Sequence, residues 1–333
     1  MTAAAFAPTL SSIVPRLGVA VPSASAEKRP RSITFNELAD DYIAAYTGRD
    51  KSVAWRLMTW RRLIGDRPIA DIKTSEIREH LKRLQAEPAR AWRGIDADGK
   101  AIHRVRAPCK VWSTVNRYHA ALSAVFRWAI EHELLPVDGK NPAHGIRRGK
   151  ESSGVVRFLD PEERRRLLDA ARASGWQRMY GLVLLALTSG ARRGELLALR
   201  WRDIDLDNRV AYLRLTKNGS GRTLVIVPAV AEELAAYVRG KPEHLVFRST
   251  RDPLIAYKFE QAWRAVLRTS KVERFRFHDL RHSFASALAQ EGASLVELAD
   301  AMGHRSMVMV QRYAHLSVQS RARLVNRVMG DVR

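Results

Sequence analysis

The chain has 333 residues, of which 46% are hydrophobic, and no run is long and apolar enough to span a bilayer. Its single cysteine, Cys109, excludes an intramolecular disulfide framework and a cysteine-based zinc cluster, and it favours a reducing, cytoplasmic setting. Lys and Arg outnumber Asp and Glu by 57 to 35, and this net charge of +22 predicts a polyanionic partner, with nucleic acid as the first candidate.

Residues 1–31 are predicted to be a disordered leader. They are rich in Ala, Ser and Pro, and prolines interrupt their apolar stretch. The run SASA at 23–26 imitates a signal-peptidase site, but no charged start precedes it, so we do not expect a signal peptide.

Residues 32–138 are predicted to form an N-terminal helical bundle. Thr34 and Glu37 have the spacing of a capping box, and apolar residues follow them at helical intervals. Further helical patterns cover about 50–64, 74–86 and 112–133. Between the last two, Asp98-Gly99 suggests a hairpin or an extended loop.

Two basic segments are candidates for DNA contact, although solvated surfaces often carry similar charge. The first is the loop before the last of these helices, and the second is a Gly-, Pro- and Ser-containing stretch, residues 139–155, predicted to be an interdomain linker. The candidate DNA-binding residues are Arg90, Arg93, Arg104, Arg106, Arg147 and Arg148.

Residues 156–333 are predicted to form a second, α+β unit. Asp160, Pro161 and Glu163 predict a capped helix start, and the run YGLVLLALTSG predicts a buried helix that ends at Gly190. In residues 203–228 apolar and polar residues alternate, which predicts two or three antiparallel strands. Helices are predicted at about 229–239 and 253–269. The segments FHDLRHSFASALAQEGA, SLVELADAMG and SMVMVQRYAHL predict three more helices, the second with a Ser294–Glu297 capping box. The fold class is therefore mostly α with a small antiparallel sheet.

Five segments of this unit carry residues that need a common explanation. They are Arg192, Arg193 and Glu195 in TSGARRGELLALRW; Lys217 at a hairpin tip; His278 and Arg281 in HDLRH; His304 in MGHRS; and Tyr313 in QRYAH. Taken singly, each has an ordinary explanation: an exposed arginine pair, a surface lysine, a histidine and an arginine that pair with each other or a carboxylate, and a core tyrosine.

In this order and at these spacings, the set resembles the tyrosine recombinases, the phage-integrase family. That family has an Arg in a Thr-Gly-x-Arg-x-x-Glu setting, a hairpin Lys, His-x-x-Arg, Leu-Gly-His, and a Tyr about nine residues later; here 313 − 304 is 9. The chain departs from the pattern where Ser189 precedes Gly190 and Met302 replaces Leu. Either Arg192 or Arg193 could fill the Arg position of this pattern, and the three-residue step to Glu195 favours Arg192. The resemblance extends from about residue 33 to the end and implies a SAM-like core-binding bundle followed by a catalytic domain.

The resemblance implies phosphodiester exchange through a covalent 3′-phosphotyrosine on Tyr313. A phenol with a pKa of about 10 is a weak nucleophile at neutral pH, so it needs a base or a cationic neighbourhood. Arg192 and Arg281 would grip the phosphate oxygens, and Glu195 would orient the arginines. His278 is the better candidate base, while His304 would hold the phosphate or orient the nucleophile. Lys217 would protonate the leaving 5′-oxygen.

No cofactor is expected, because the arginines can supply the electrostatic role of a metal and the sequence has no Walker loop for ATP. The partner is double-stranded DNA, and in this family two duplexes require a tetramer, whereas a monomer is allowed in free solution. Accessory DNA-bending or directionality factors stay open. A C-terminal amphipathic helix with Leu316, Val318, Leu324, Val325 and Val328 would dock on a neighbouring protomer or pack on its own domain.

The leading hypothesis is an integrase of a phage or another mobile element. The alternatives are a chromosome-dimer resolvase, a type IB topoisomerase-like enzyme and, from another class, a catalytically silent DNA-binding regulator. Because the first 31 residues are short and poorly patterned, we do not expect them to form the N-terminal arm-binding domain that some relatives carry.

Overall fold

A computed structural model of the chain describes residues 33–95, 101–135, 139–152, 156–214, 221–304 and 306–330, with the backbone alone for 91–95, 101–103, 318–321 and 324. The chain divides into two compact units between Ser153 and Gly154. The predicted leader lies outside the described residues. Among the helices of the described segments, none has the length and apolar character needed to cross a membrane.

The first unit is the predicted helical bundle with one antiparallel hairpin. Its elements are α1 (Phe35–Ala45), α2 (Val53–Ile64), α3 (Thr74–Ala86), β1 (Ala89–Ile95), β2 (Ala101–Ala107) and α4 (Trp112–Glu131), with a 3₁₀ turn at Ile69–Asp71. The Thr34–Glu37 capping box is confirmed, because each side chain accepts a hydrogen bond from the other residue's backbone amide. Phe35, Leu57, Trp60 and Phe126 are fully buried in the core between α1, α2 and α4.

Of the two alternatives for the segment around Asp98-Gly99, a hairpin or an extended loop, the structure has the hairpin, in which β1 and β2 pair antiparallel. Ala89 pairs with Ala107 and Ile95 pairs with Ala101, with two register irregularities between them. Residues 96–100, which connect the strands, lie outside the described residues. Arg104 and Arg106 are exposed, and Arg106 lies at one of these irregularities, between the paired residues Val105 and Ala107.

Part of the segment predicted to be a linker packs on α4. The buried His119 bonds through Nε2 to the carbonyl of Ala143 at 2.8 Å. Asn116 donates to the carbonyl of Gly149 at 2.9 Å and accepts from its amide at 3.1 Å. Two polar side chains on one helix therefore fix residues 143–149 to the first unit.

Besides short 3₁₀ turns, the second unit contains eight described α-helices and one three-stranded sheet. They are α5 (Pro161–Arg172), α6 (Met179–Ser189), α7 (Arg193–Leu197), β3 (Ile204–Asp205), β4 (Val210–Leu213), β5 (Arg222–Val225), α8 (Pro228–Ala235), α9 (Glu260–Ser270), α10 (Asp279–Gln290), α11 (Leu295–Met302) and α12 (Val318–Met329). The sheet is antiparallel in the order β3-β4-β5, with Val210 opposite Val225. The capping boxes at Asp160–Glu163 and Ser294–Glu297 are confirmed.

Helix α6 forms the centre of this unit. Most of its residues are buried, as its uniformly apolar sequence predicts, and it ends at Gly190, whose φ of 58° lies in the left-handed region. The next turn and α7 place Arg192, Arg193 and Glu195 directly beyond this end.

Two sequence predictions were wrong in detail. The helix predicted at 253–269 begins only at Glu260. The segment around Tyr313, predicted to be an α-helix, consists of 3₁₀ turns at Met307–Met309 and Gln311–Ser317. Val310, which ends the first turn, and Tyr313, in the second, are both buried.

Candidate active site

Three arginines from different elements converge on the C-terminal end of α11. Each donates to one of three successive backbone carbonyls: Arg222 to Ala301 (2.6 Å), Arg281 to Met302 (2.6 Å) and Arg192 to Gly303 (3.3 Å). The last carbonyls of a helix lack intrahelical partners and form the negative end of its dipole. The end of α11 thus orients three cations, which we call the arginine cluster.

Glu195 connects two members of the arginine cluster. Its Oε1 accepts from Nη1 of Arg192 at 2.7 Å, and its Oε2 accepts from the Arg192 amide at 2.8 Å and from Nη2 of Arg222 at 3.1 Å. Burial opposes ionisation of this carboxyl, but the hydrogen bonds from Arg192 and the charge of Arg222 outweigh it and lower its pKa. Glu195 is therefore an ionised carboxylate that fixes both guanidiniums.

Arg281 is the buried member of the cluster, with 3% of its surface exposed. It donates to the carbonyls of Gly190 and Met302, so the end of α6 and the end of α11 both orient it. Burial and the charges of Arg192 and Arg222 lower its pKa to about 10. Its positive charge is destabilised by these neighbours, and a bound anion would relieve that repulsion.

His304 extends the cluster by one neutral ring. Its Nε2 accepts from Nη2 of Arg281 at 2.7 Å, which places the ring proton on Nδ1. Burial, followed by the charges of Arg281 and Arg192, lowers the pKa of His304 to about 4. Nδ1 of His304 and Nε of Arg222 are buried and have no acceptor among the described residues. These two N–H groups are therefore available to donate to an anionic group at the cluster.

Tyr313 lies beside these groups with its hydroxyl bonded to a second histidine. Its side chain is 1% exposed, and its Oη is 2.5 Å from Nδ1 of His282. Burial raises the pKa of Tyr313, against the smaller opposite effects of Arg312 and Arg281. The phenol is therefore protonated and donates to the imidazole.

The sequence reasoning missed His282. It lies one turn after His278 on α10, and the two rings are 5.5 Å apart. The i, i+4 spacing of the two histidines in HDLRH was the available signal. His278 itself is exposed, and desolvation and the charge of Arg281 lower its pKa.

Arg222 was also missed, because an arginine in an alternating strand usually points to solvent. Lys217, predicted at the tip between β4 and β5, lies outside the described residues.

Of the DNA-binding candidates, the structure describes exposed side chains for Arg90, Arg104, Arg106, Arg147 and Arg148, all in the first unit. For Arg93 it describes only the backbone, in β1. Across the described ranges, no three His, Cys, Asp or Glu residues are grouped as a metal site would require.

Comparison with known proteins gives matches to most of the second unit. The model of the phage integrase family matches residues 157–320. Over 180 residues the chain is 38% identical to the shufflon-specific DNA recombinase of Escherichia coli, covering 53% of this chain and 44% of that protein. Over 191 residues it is 31% identical to the integrase of Salmonella phage P22, covering 53% and 48%. The chain thus spans about half the length of these curated relatives.

A solved structure is similar over nearly the whole chain. The Tn1549 transposon integrase, determined in complex with transposon right end DNA, matches with a TM-score of 0.65 and 18% identity over 90% of this chain and 100% of that one. At this identity the likeness concerns the fold, and it confirms the predicted class of a mostly helical chain with a small antiparallel sheet.

Proposed function

We infer from the match of residues 157–320 that the chain is a member of the phage integrase, or tyrosine recombinase, family, and we propose that it is a site-specific DNA recombinase. It cuts and rejoins DNA through a covalent 3′-phosphotyrosine on Tyr313. The observation that carries the proposal is the arrangement of the arginine cluster, His304 and Tyr313 around the end of α11.

The charges of the site favour a phosphodiester as substrate. The cluster has three guanidiniums, and Glu195 is the carboxylate that pairs with two of them. This leaves an excess of positive charge around Arg281, which is buried. The free N–H of His304 adds a buried neutral donor. A scissile phosphate with charge on its non-bridging oxygens would supply the acceptors and the compensating charge.

In the proposed reaction, Arg192 and Arg281 hold the non-bridging oxygens and Glu195 keeps Arg192 in orientation. Both guanidiniums are oriented by protein groups before DNA binds, so little reorganisation is needed when the phosphorane charge develops. Tyr313 attacks phosphorus, and Lys217 donates a proton to the leaving 5′-oxygen. His304 donates from Nδ1 to the phosphate.

We further propose that the first unit binds the DNA backbone. Arg90, Arg104, Arg106, Arg147 and Arg148 are exposed there, and Arg93 lies in the same hairpin. Packing of residues 143–149 on α4 holds the last two arginines at defined positions instead of on a free tether. Such contacts position DNA without reading its sequence.

The proposed role is integration or excision of a phage or another mobile element by a tetramer on two duplexes. The names of the relatives support this role, since one is a phage integrase and another a transposon integrase. Two duplexes with two cleavages each need four active sites, and therefore four subunits. Because the phosphotyrosine bond conserves the energy of the broken bond, rejoining needs no nucleotide.

The proposal is tested with DNA that the protein selects for itself. The protein first enriches bound duplexes from a randomised library, and the enriched sequence is then made as a set of duplexes with nicks at successive positions. In buffer with a metal chelator, the wild-type protein should form a covalent adduct on one of these nicked duplexes. Tyr313→Phe should bind equally well and form none, while Tyr212→Phe, which alters an exposed tyrosine on β4, should behave as the wild type.

The same substrates separate the alternatives. A silent regulator binds DNA and forms no adduct. A topoisomerase-like enzyme forms the adduct and relaxes a supercoiled plasmid, but does not join strands of two duplexes. Strand exchange between two labelled duplexes is the result that supports a recombinase.

A further inference from the structure

We propose that His282 is a further catalytic residue, whose Nδ1 accepts the Tyr313 proton as the phenol attacks the phosphate. This inference rests on the proposed function and concerns the fate of one proton within it. The motif comparison had favoured His278 for this role, so the two histidines are alternatives on one helix.

The contact itself is the first support. Oη of Tyr313 lies 2.5 Å from Nδ1 of His282, a distance typical of a strong O–H hydrogen bond. The Tyr313 side chain is 1% exposed, so bulk water has little access to this hydroxyl. A general base must be within hydrogen-bond reach of the proton that it removes, and His282 meets that requirement.

The position of His282 on α10 is the second support. It follows Arg281 directly, and Arg281 is fixed by the ends of α6 and α11. One rigid helix turn thus carries a phosphate-gripping group and a proton acceptor for the nucleophile. His278, by contrast, is exposed at the start of α10, with its ring 5.5 Å from that of His282.

The charges around His282 keep its imidazole neutral. Burial is the largest effect, and the neighbouring His278, Arg276 and Arg312 also disfavour the imidazolium, while Asp279 favours it. Together they lower its pKa to about 4, so Nδ1 is free to accept a proton at neutral pH. An anionic phosphate bound beside Arg281 would make the imidazolium less unfavourable at the moment of attack.

The proposed step balances as follows. The Oη–H bond of Tyr313 breaks and its proton moves to Nδ1 of His282, whose Nε2 already carries a proton. The phenolate oxygen forms the bond to phosphorus, the bond from phosphorus to the 5′-oxygen breaks, and the proposed donor Lys217 protonates that oxygen. In rejoining, the imidazolium returns the proton to the departing phenolate.

The test compares His282→Asn with the wild type in single-turnover adduct formation on a saturating, self-selected nicked duplex, from about pH 6 to about pH 9. Asn can accept a hydrogen bond from the phenol but cannot take its proton. We expect adduct formation to fall about a hundredfold at neutral pH with unchanged DNA affinity. The deficit should shrink as pH rises, because the fraction of enzyme in which the phenol is already ionised grows and the reaction depends less on a base. His282→Phe should give the same pH-dependent loss, while His315→Asn, at an exposed position two residues after Tyr313, should match the wild type.

A loss that is equal at every pH would assign His282 a purely structural role and overturn the inference, as would an unchanged rate. Adduct formation by the wild type, abolished in Tyr313→Phe, keeps the proposed function standing in either case. If the wild type formed no adduct, both proposals would be overturned, because Tyr313 would then not attack the phosphate and would have no proton to transfer.

Discussion

The Arg281 guanidinium donates to Nε2 of His304 at 2.7 Å, and this bond fixes the tautomer of the histidine. A residue of α10 and one from the turn after α11 thus jointly aim an N–H, at Nδ1, that has no acceptor among the described residues. The pair is maintained only while His304 is neutral, since an imidazolium cannot accept from a guanidinium.

The first prediction follows from that neutrality. His304 has a folded pKa of about 4, below its usual 6.5, so the unfolded chain binds more protons between these values. Its contribution to stability is complete above about pH 6.5 and is lost as the pH falls towards 4. For one imidazole we expect the free energy of unfolding to drop by about 1–2 kcal/mol between neutral pH and about pH 5. Urea unfolding at both pH values measures it.

The control for this prediction is His304→Asn, which has no imidazole to titrate. Its free energy of unfolding should fall less with acid than that of the wild type. Equal pH dependence in both proteins would contradict a neutral His304 in the folded state.

The second prediction separates two adjacent arginines. Arg192→Lys keeps a positive charge but cannot bond Glu195 and Gly303 together, because an ammonium lacks the planar fork of a guanidinium. We expect adduct formation to fall about a hundred- to a thousandfold. Arg193→Lys alters an exposed partner of Glu260 and should change the rate less than threefold. A larger effect at Arg193 would reverse the assignment.

The third prediction concerns Arg222, the member of the arginine cluster that lies outside the sequence motifs. Arg222→Gln leaves Glu195 with one guanidinium instead of two and removes the donor to Ala301. We expect a loss of about 2–3 kcal/mol in the free energy of unfolding and roughly tenfold slower adduct formation. Arg264→Gln removes the same charge from an exposed site on α9 and should change neither quantity measurably. Retention of wild-type rates in Arg222→Gln would remove Arg222 from the site.

The fourth prediction tests the turn that orients Arg281. Gly190 has a φ of 58°, and a Cβ there would lie 2.3 Å from the ring of Phe284, so Gly190→Ala is strained and crowded. We expect it to lose more than about 2 kcal/mol of stability and to slow adduct formation, because the Gly190 carbonyl accepts from Arg281. Gly194→Ala, whose Cβ meets nothing within 4 Å, should be neutral or up to about 1 kcal/mol more stable. Thermal or urea unfolding of both variants measures these changes in stability, and equal stability of the two would contradict the prediction.

The residues found from the sequence share one property: each belongs to a motif with fixed local spacing. Arg192 with Glu195, and His278 with Arg281, are three residues apart, and His304 precedes Tyr313 by nine. The capping boxes and the buried helix that ends at Gly190 were likewise predictable, since local sequence determines them.

What the sequence did not reveal depends on contacts between distant segments. Arg222 is recognised as a site residue by its hydrogen bond to Ala301, 79 residues away in the sequence. His282 is recognised by its hydrogen bond to Tyr313, 31 residues away. Residues 143–149 looked like a linker because nothing local indicates that Asn116 and His119 bind them. The segment around Tyr313 reads as an α-helix in sequence because apolar residues three apart fit both an α-helix and a 3₁₀-helix.

The central claim, that Tyr313 is the nucleophile of a metal-independent DNA exchange, is tested most directly by mapping the linked residue. The adduct formed on a nicked duplex in chelator is digested with nuclease and trypsin and sequenced by mass spectrometry. We predict a 3′-phosphonucleotide on Tyr313 within the peptide Tyr313–Arg321. A nucleotide on any other residue, or an adduct that survives Tyr313→Phe, would contradict the claim.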